Sequence, residues 1–234
     1  MNVALIIAGG KGERTGFKIP KQFIPLCGHP VIAYTLKKYQ NHPRIDAICV
    51  VALAGWESYV QSIADKYNIS KLKHIATGGT SGQESIWNGL CELAKSYARD
   101  CMVLVHDAVR PIIPNEIIDD AIDTATKYGN AVSGTSCYEA IIHTAKNTVI
   151  EHRELKRAQA PQCMRLGELV DIHKTALTRG INNSTTTATL MIELGRQIYW
   201  SEGSNRNIKL TTTDDLETLR AIIGWNADEY NLDK

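Results

Sequence analysis

The chain opens with a short apolar run that ends in a cluster of glycines. Residues 3–8 (VALIIA) contain no charged side chain, and Gly9, Gly10 and Gly12 follow within four positions. An apolar run bounded by glycine is typical of a buried strand that enters a tight loop. The run is too short for a transmembrane helix, and no basic segment precedes it as in a signal peptide. This start predicts an α/β fold.

Apolar strands and amphipathic helices alternate through the first half of the chain. Strands are predicted over 3–8, 45–53, 74–76, 102–105 and 130–134, and helices over 30–39, 56–67, 83–97 and 117–128. This alternation indicates a Rossmann-like, mostly parallel twisted sheet with helices on both faces. Further on, helices are predicted over 166–178 and 188–194 and from 213, and strands over 197–201 and 207–210.

Residues 136–162 depart from this pattern. They carry β-branched and charged residues without helical spacing. We interpret them as a β-arm that projects from a single domain spanning residues 1–234, because the chain contains no internal repeat and no flexible linker. Such an arm is poorly buried on a lone domain, which predicts a homodimer.

Charge and cysteine content restrict the class of ligand. The 26 basic and 25 acidic residues leave a net charge of +1, which gives no general attraction to nucleic acid or to a membrane surface. The six cysteines are scattered without the spacing of a zinc site, as in a protein of the reducing cytoplasm. We therefore expect a cytoplasmic protein that binds a small anion through a local group of positive charges.

The first glycine cluster is a candidate for that anion site. Gly9, Gly10 and Gly12 would let backbone amides approach a phosphate, and Arg14 and Lys21 would supply fixed positive charge. The segment is neither a P-loop nor a complete dinucleotide fingerprint, which disfavours an NAD-linked oxidoreductase. A tight turn with solvated charges remains the structural alternative.

Two more polar motifs follow predicted strands, at 78–85 and 106–111. Ligands of open α/β sheets bind beyond the carboxyl ends of the strands. All three motifs are therefore expected at one edge of the sheet. An aspartate that only caps a turn is the alternative for Asp107.

Taken together, the motifs resemble the family of methylerythritol-phosphate and ribitol-5-phosphate cytidylyltransferases. The resemblance runs nearly end to end and rests on AGGKGER with PKQF, GGTSGQESIWNGL, HDAVRP, QAPQ and EGSNRNIKLTTTDDL. It implies a modified Rossmann-like fold, a homodimer with interlocked β-arms, and Mg²⁺-dependent transfer of CMP from CTP to a phosphorylated polyol or sugar, with release of pyrophosphate.

The resemblance also implies roles for individual residues. The expected catalytic cations are Arg14, Lys21 and Lys209. The expected nucleotide-binding residues are Ala8, Gly9, Gly10, Gly12, Gly79, Thr80, Ser85 and Asp107, and Asp107 is also the expected Mg²⁺ ligand. The expected acceptor-binding residues are Arg110, Glu139, Arg153, Arg157 and Thr185.

Departures from the family pattern concentrate on the acceptor side. Ala140 replaces a threonine of the arm, Ala160 replaces the threonine of a QTPQ motif, and residues 185–187 are three threonines where the family carries carboxylates. Lost hydrogen-bonding partners change which acceptor a pocket selects. We therefore expect an acceptor like ribitol 5-phosphate. Methylerythritol phosphate is the alternative acceptor, and a catalytically weakened nucleotide-binding relative is the second alternative.

Overall fold

The computed structural model describes residues 1–10, 19–226 and 228–232. The strands are β1 (Asn2–Ala8), β2 (Pro25–Leu26), β3 (His29–Pro30), β4 (Ala47–Ala52), β5 (Leu72–Thr77), β6 (Met102–Asp107), β7 (Asn130–Ser136), β8 (Ile141–His143), β9 (Thr148–Ile150), β10 (Lys156–Arg165) and β11 (Trp200–Glu202). The α-helices are α1 (Val31–Asn41), α2 (Glu57–Lys66), α3 (Gly82–Leu93), α4 (Asn115–Tyr128), α5 (Leu166–Thr178), α6 (Thr187–Glu193) and α7 (Thr213–Trp225). None of these helices is long and apolar enough to cross a membrane.

Seven strands form one central sheet in the order β11-β7-β10-β6-β1-β4-β5. The strand β10 runs antiparallel to β6 and β7, and the remaining neighbours pair in parallel. The first strand lies inside the sheet, where Ile6 is in register with Val50 of β4 and His106 of β6. The predicted fold class is confirmed.

Helices cover both faces of the sheet because its central strands are apolar on both sides. Ala4 and Ile6 of β1 pack into the core beneath α1, α2, α4 and α7. Val3 and Leu5 of the same strand pack into the second core, beneath α3, α5 and α6. Successive side chains of a strand point to opposite faces, so one buried strand supplies both cores.

The predicted β-arm is confirmed as a separate hairpin of β8 and β9. Its apolar side chains are largely uncovered, since Ile142 is 57% exposed and Val149 is 75% exposed. The predicted end of the arm at residue 162 is wrong, because β10 belongs to the central sheet and Gln162 pairs with Val105 of β6. The polar residues along β10 hide the pattern of a buried strand in the sequence, although the second half of β10 is buried in the structure.

The strand predicted over 207–210 is also absent from the described sheets. This segment is irregular because its backbone groups bond to separate parts of the fold instead of to one neighbouring strand. The N–H of Asn207 donates to the carbonyl of Ser204, and the N–H of Leu210 donates to the carbonyl of Val109.

Candidate active site

A cavity of about 1150 Å³ opens at the carboxyl ends of β1, β4, β5 and β6. Its wall combines the glycine turn after β1, the loop between β5 and α3, the end of β6, part of β10 and the segment before α6. This is the edge at which open α/β sheets bind ligands. The three polar motifs of the sequence therefore meet around one space.

Most of the predicted site residues line this cavity. Those that do are Ala8, Gly9, Gly10, Lys21, Gly79, Thr80, Ser85, Asp107, Arg110, Thr185 and Lys209. Gly12 and Arg14 lie outside the described residues.

Three predicted acceptor residues do not line the cavity of their own chain: Glu139, Arg153 and Arg157. Glu139 and Arg153 lie on either side of the β8–β9 hairpin. The guanidinium of Arg157 donates to Oδ1 of Asn205 at 2.5 Å. An acceptor role for these three residues stays a prediction.

The two glycine turns pack against each other. A Cβ atom on Gly9 would lie 3.0 Å from Oγ of Ser85 and 3.5 Å from Cα of Gly78. The Ser85 hydroxyl accepts from the N–H of Gly79 at 3.1 Å and donates to the carbonyl of Ser81 at 2.8 Å. Ser85 thereby fixes the second turn, and Gly9 leaves the room that this contact needs.

Gln22 is a site residue whose role the sequence did not reveal. Its buried side chain donates from Nε2 to the carbonyl of Ala8 at 2.7 Å. Lys21 and Gln22 share a 3₁₀ turn, Lys21–Phe23, so this bond ties the lysine to the end of β1. The sequence signal for this role is weak: Gln22 stands next to the apolar Phe23, and a glutamine that is buried with such a neighbour requires a hydrogen-bond partner.

Glu84 closes the loop between β5 and α3. Its Oε2 atom accepts from both the hydroxyl and the N–H of Thr80 at 2.6 Å. These hydrogen bonds, first from the hydroxyl and then from the backbone, lower the pKa of Glu84. The loop therefore enters the cavity in a defined conformation, with a carboxylate at its surface.

Asp107 is the centre of the charged group in the cavity. Its Oδ1 lies 3.0 Å from the ammonium of Lys209, and its Oδ2 lies 2.9 Å from Nε of Arg110. Burial by itself would raise the pKa of Asp107, but the positive charges of Lys209 and Arg110 outweigh it and hold that pKa well below its usual range. The aspartate is therefore ionised, and the 40% exposed side chain of Lys209 faces solvent in the cavity.

His106 precedes this aspartate but serves the fold. It is fully buried, and its Nε2 lies 3.3 Å from the carbonyl of Arg110. Burial lowers the pKa of His106 to about 4 despite the neighbouring Asp107. The imidazole is neutral near pH 7 and does not add to the positive charge of the site.

The part of the cavity wall formed by β10, next to β6, presents neutral polar groups. The side-chain amide of Gln159 exchanges two hydrogen bonds with the backbone of Ser204, at 3.1 and 2.9 Å. Oε1 of Gln162 accepts from the N–H of Ala188 at 2.8 Å, which fixes the start of α6. Among the described lining residues, the cations are Lys21, Arg110 and Lys209, and the anions are Glu84 and Asp107. The wall therefore offers both cations that can bind an anion and neutral amides that can bind hydroxyl groups.

Comparison with known proteins identifies the family to which the chain is similar. Residues 2–224 match the family model described as IspD, 2-C-methyl-D-erythritol 4-phosphate cytidylyltransferase. Ribitol-5-phosphate cytidylyltransferase of Lacticaseibacillus paracasei is 36% identical over 95% of this chain and 98% of its own length. 2-C-methyl-D-erythritol 4-phosphate cytidylyltransferase of Clostridium botulinum (strain Langeland) is 37% identical over 92% of this chain and 94% of its own length.

The solved structures match the fold as well. The crystal structure of Francisella tularensis 2-C-methyl-D-erythritol 4-phosphate cytidylyltransferase has 28% sequence identity and a TM-score of 0.77. The match covers 93% of this chain and 98% of that chain. The family match over residues 2–224 spans every strand of the central sheet and every described segment of the cavity wall.

Proposed function

The chain belongs to the 2-C-methyl-D-erythritol 4-phosphate cytidylyltransferase family, and from that premise we propose that it transfers CMP from CTP to ribitol 5-phosphate or a closely similar polyol phosphate. The products are pyrophosphate and a CDP-polyol. The observation that carries the proposal is the group formed by Lys209, Asp107 and Arg110 in a cavity that also exposes Gly9 and Gly10.

The reaction needs alignment and charge neutralisation more than proton transfer. A phosphate oxygen of the acceptor attacks the α-phosphorus of CTP, and the bond from that phosphorus to the oxygen bridging to the β-phosphorus breaks. The attacking oxygen is already anionic, so a strong general base is unnecessary. Fixed positive groups that face the developing charge lower the barrier, because they need no reorganisation during the reaction.

Different residues are suited to binding the phosphates and to neutralising their charge. Backbone amides of Gly9 and Gly10 can approach phosphate oxygens without an intervening Cβ. Lys21, tied to β1 through Gln22, and Lys209, placed beside Asp107, supply positive charge to the α-phosphate and the leaving pyrophosphate.

The residues present are suited to Mg²⁺ bound together with CTP. Among the described residues, no group of three His, Cys, Asp or Glu side chains could hold a metal. Mg²⁺ commonly takes only one or two carboxylates and completes its shell with substrate phosphates and water. Asp107, whose pKa is held low, is the candidate ligand. When bound, the ion would supply additional positive charge to the triphosphate.

Ribitol 5-phosphate is the favoured acceptor because the relatives of this chain and its cavity wall both support it. Five relatives named ribitol-5-phosphate cytidylyltransferase are 34–37% identical to this chain over at least 95% of its length. Thr185 and Thr186, which precede α6, line the cavity with hydroxyl-bearing side chains where the family pattern carries carboxylates. Methylerythritol phosphate is the second candidate, supported by the Clostridium botulinum relative.

We further propose that the enzyme acts in the cytoplasm as a homodimer. The β8–β9 hairpin, with Ile142 and Val149 exposed, supports contact with a second copy. Light scattering at micromolar concentration is expected to report twice the mass of the chain. A monomeric mass would exclude the homodimer.

Pyrophosphate release tests the proposed function. The purified protein is incubated with Mg²⁺, with each of CTP, UTP, ATP and GTP, and with ribitol 5-phosphate, methylerythritol phosphate or other polyol phosphates. We expect the highest kcat/KM for CTP with ribitol 5-phosphate, and almost no release by the Lys209→Ala variant. Faster turnover of methylerythritol phosphate would select the second acceptor. CTP binding without turnover of any acceptor would contradict the proposed activity and identify a weakened relative.

A further inference from the structure

We propose that Asn207 is a positioning residue that holds Lys209 and Arg110 in their arrangement around Asp107. The inference rests on the proposed function, because those cations face the cavity in which CTP would bind. Asn207 is only 1% exposed and is not among the described residues that line the cavity. Its influence on the reaction must therefore pass through its neighbours.

Three hydrogen bonds join Asn207 to three separate parts of the fold. Its carbonyl accepts from Nη1 of Arg110 at 2.6 Å, close to the end of β6. Its side-chain Nδ2 donates to the carbonyl of Ala160 in β10 at 2.6 Å. Its N–H donates to the carbonyl of Ser204 at 3.0 Å. One buried residue thus connects two strands of the central sheet with the segment that carries Lys209.

The bonds of Asn207 close a ring around the charged group. From Asn207 the ring passes to Arg110, then through the Nε–Oδ2 contact to Asp107, and then through the Oδ1–Nζ contact to Lys209. Lys209 returns to Asn207 along the chain. Both cations therefore take their positions relative to the same buried backbone.

The side chain of Lys209 needs such an anchor because its four-carbon stem is flexible. On the C-terminal side of Lys209 the backbone is fixed by Leu210, whose N–H donates to the carbonyl of Val109 at 2.9 Å. On the N-terminal side of Lys209 the backbone is fixed by Asn207. Displacement of a catalytic group by about 1 Å can lower a rate about 100-fold, so a loose anchor would affect turnover.

The amide oxygen of Asn207 supports this interpretation. Oδ1 is buried and has no hydrogen-bond partner among the described residues. An unpaired buried oxygen is unfavourable, and the side chain therefore acts through its NH₂ group alone. Removal of that group would leave the carbonyl of Ala160 without its donor. The bonds between Gln159 and Ser204 would still hold the start of the segment to β10, but its part next to Lys209 would lose its contact with that strand.

The test compares Asn207→Ala and the gentler Asn207→Ser with the wild type. The measurements are CTP affinity by calorimetry, kcat and KM for pyrophosphate release, and the rate at which an acylating reagent labels the Lys209 amine, followed by peptide mass. We expect an unchanged CTP affinity, a kcat about 10 to 100 times lower, and faster labelling of Lys209. In a Lys209→Ala background, Asn207→Ala should lower kcat by less than about 3-fold, because residues that act as a unit are not additive.

Asn41→Ala, at the exposed end of α1, is the matched control and should leave all these measurements unchanged. A full additional loss of kcat in the double variant, or an unchanged labelling rate, would overturn the positioning role. Loss of the folded state in both Asn207 variants would also overturn it, since the role would then be structural. Failure of the wild type to release pyrophosphate would reject the proposed function, while the labelling comparison would still decide the role of Asn207.

Discussion

The ammonium of Lys209 lies 3.0 Å from Oδ1 of Asp107, although the two residues are 102 positions apart in the chain. The pair joins the end of a central strand to an irregular segment between β11 and α7. The positive charge of Lys209 helps to keep Asp107 ionised inside the fold. The negative charge of Asp107 in turn holds the Lys209 ammonium at the cavity wall. The charged group of the cavity is therefore organised by the tertiary structure.

Substitution of the cavity lysines should impair chemistry without unfolding the protein. Lys21→Ala and Lys209→Ala are each expected to lower kcat by about 10²–10³-fold, because each removes a charge that stabilises the transition state in the proposed reaction. Steady-state kinetics and thermal unfolding measure the two effects. Lys174→Ala, on the exposed side of α5, is the control. Kinetics near those of the wild type in either cavity variant would remove that lysine from the site.

The Gln22→Leu substitution should loosen the first glycine turn. Leucine has a similar size but cannot donate to the carbonyl of Ala8, which would be left buried and unpaired. We expect a loss of about 1–3 kcal/mol in the free energy of unfolding and a higher KM for CTP. Gln61→Leu, which changes an exposed glutamine of α2, is the control and should change neither the free energy of unfolding nor the KM for CTP. An unchanged KM for CTP in Gln22→Leu would show that the bond is not needed to place Lys21.

The His173→Phe substitution should make stability less sensitive to acid. The buried imidazole stacks on Trp87, its Nε2 has no hydrogen-bond partner among the described residues, and burial lowers its pKa to about 4. Between about pH 6.5 and pH 4 the unfolded chain binds a proton at this site that the folded chain does not, so stability falls as pH falls, by up to about 1.4 kcal/mol per pH unit.

Urea unfolding at about pH 7.5 and about pH 5 measures this difference. Phenylalanine preserves the stacking and does not titrate, so His173→Phe should lose less stability than the wild type on acidification. His106 is present in both proteins and cancels in the comparison. Equal losses in the two proteins would contradict a buried neutral His173.

Two glycines of the site region should respond oppositely to a methyl group. A Cβ on Gly203 would lie 2.7 Å from the backbone carbon and oxygen of Gly134, whereas a Cβ on Gly82 would have nothing within 4 Å. Gly203→Ala is expected to cost about 1–3 kcal/mol of unfolding free energy. Gly82→Ala, in the first turn of α3, should be neutral or stabilising by up to about 1 kcal/mol. Chemical denaturation checks both, and a stable Gly203→Ala would contradict the close packing of the 203–207 segment.

Local pattern was sufficient for the elements with strong periodicity. The strand over 3–8, its following glycines and the alternating helices identified the class of fold, because a doubly buried strand must be apolar on both faces. The order of the five motifs identified the family, and therefore the expected positions of Lys21, Asp107 and Lys209 in the cavity. These conclusions depend only on residue types along the chain.

Other features depended on which distant segments meet. The pattern of β-branched and charged residues without helical spacing assigns residues 156–162 to the arm. In the folded protein Gln159 and Gln162 are buried in the central sheet, where Ser204 and Ala188 provide partners for their side-chain amides. Whether a buried polar residue is tolerated depends on the partners that tertiary contacts supply. Asn207 is the clearest case: local sequence identifies an asparagine before a lysine, and only the meeting of β6, β10 and the 203–210 segment makes it an anchor for the charges of the site.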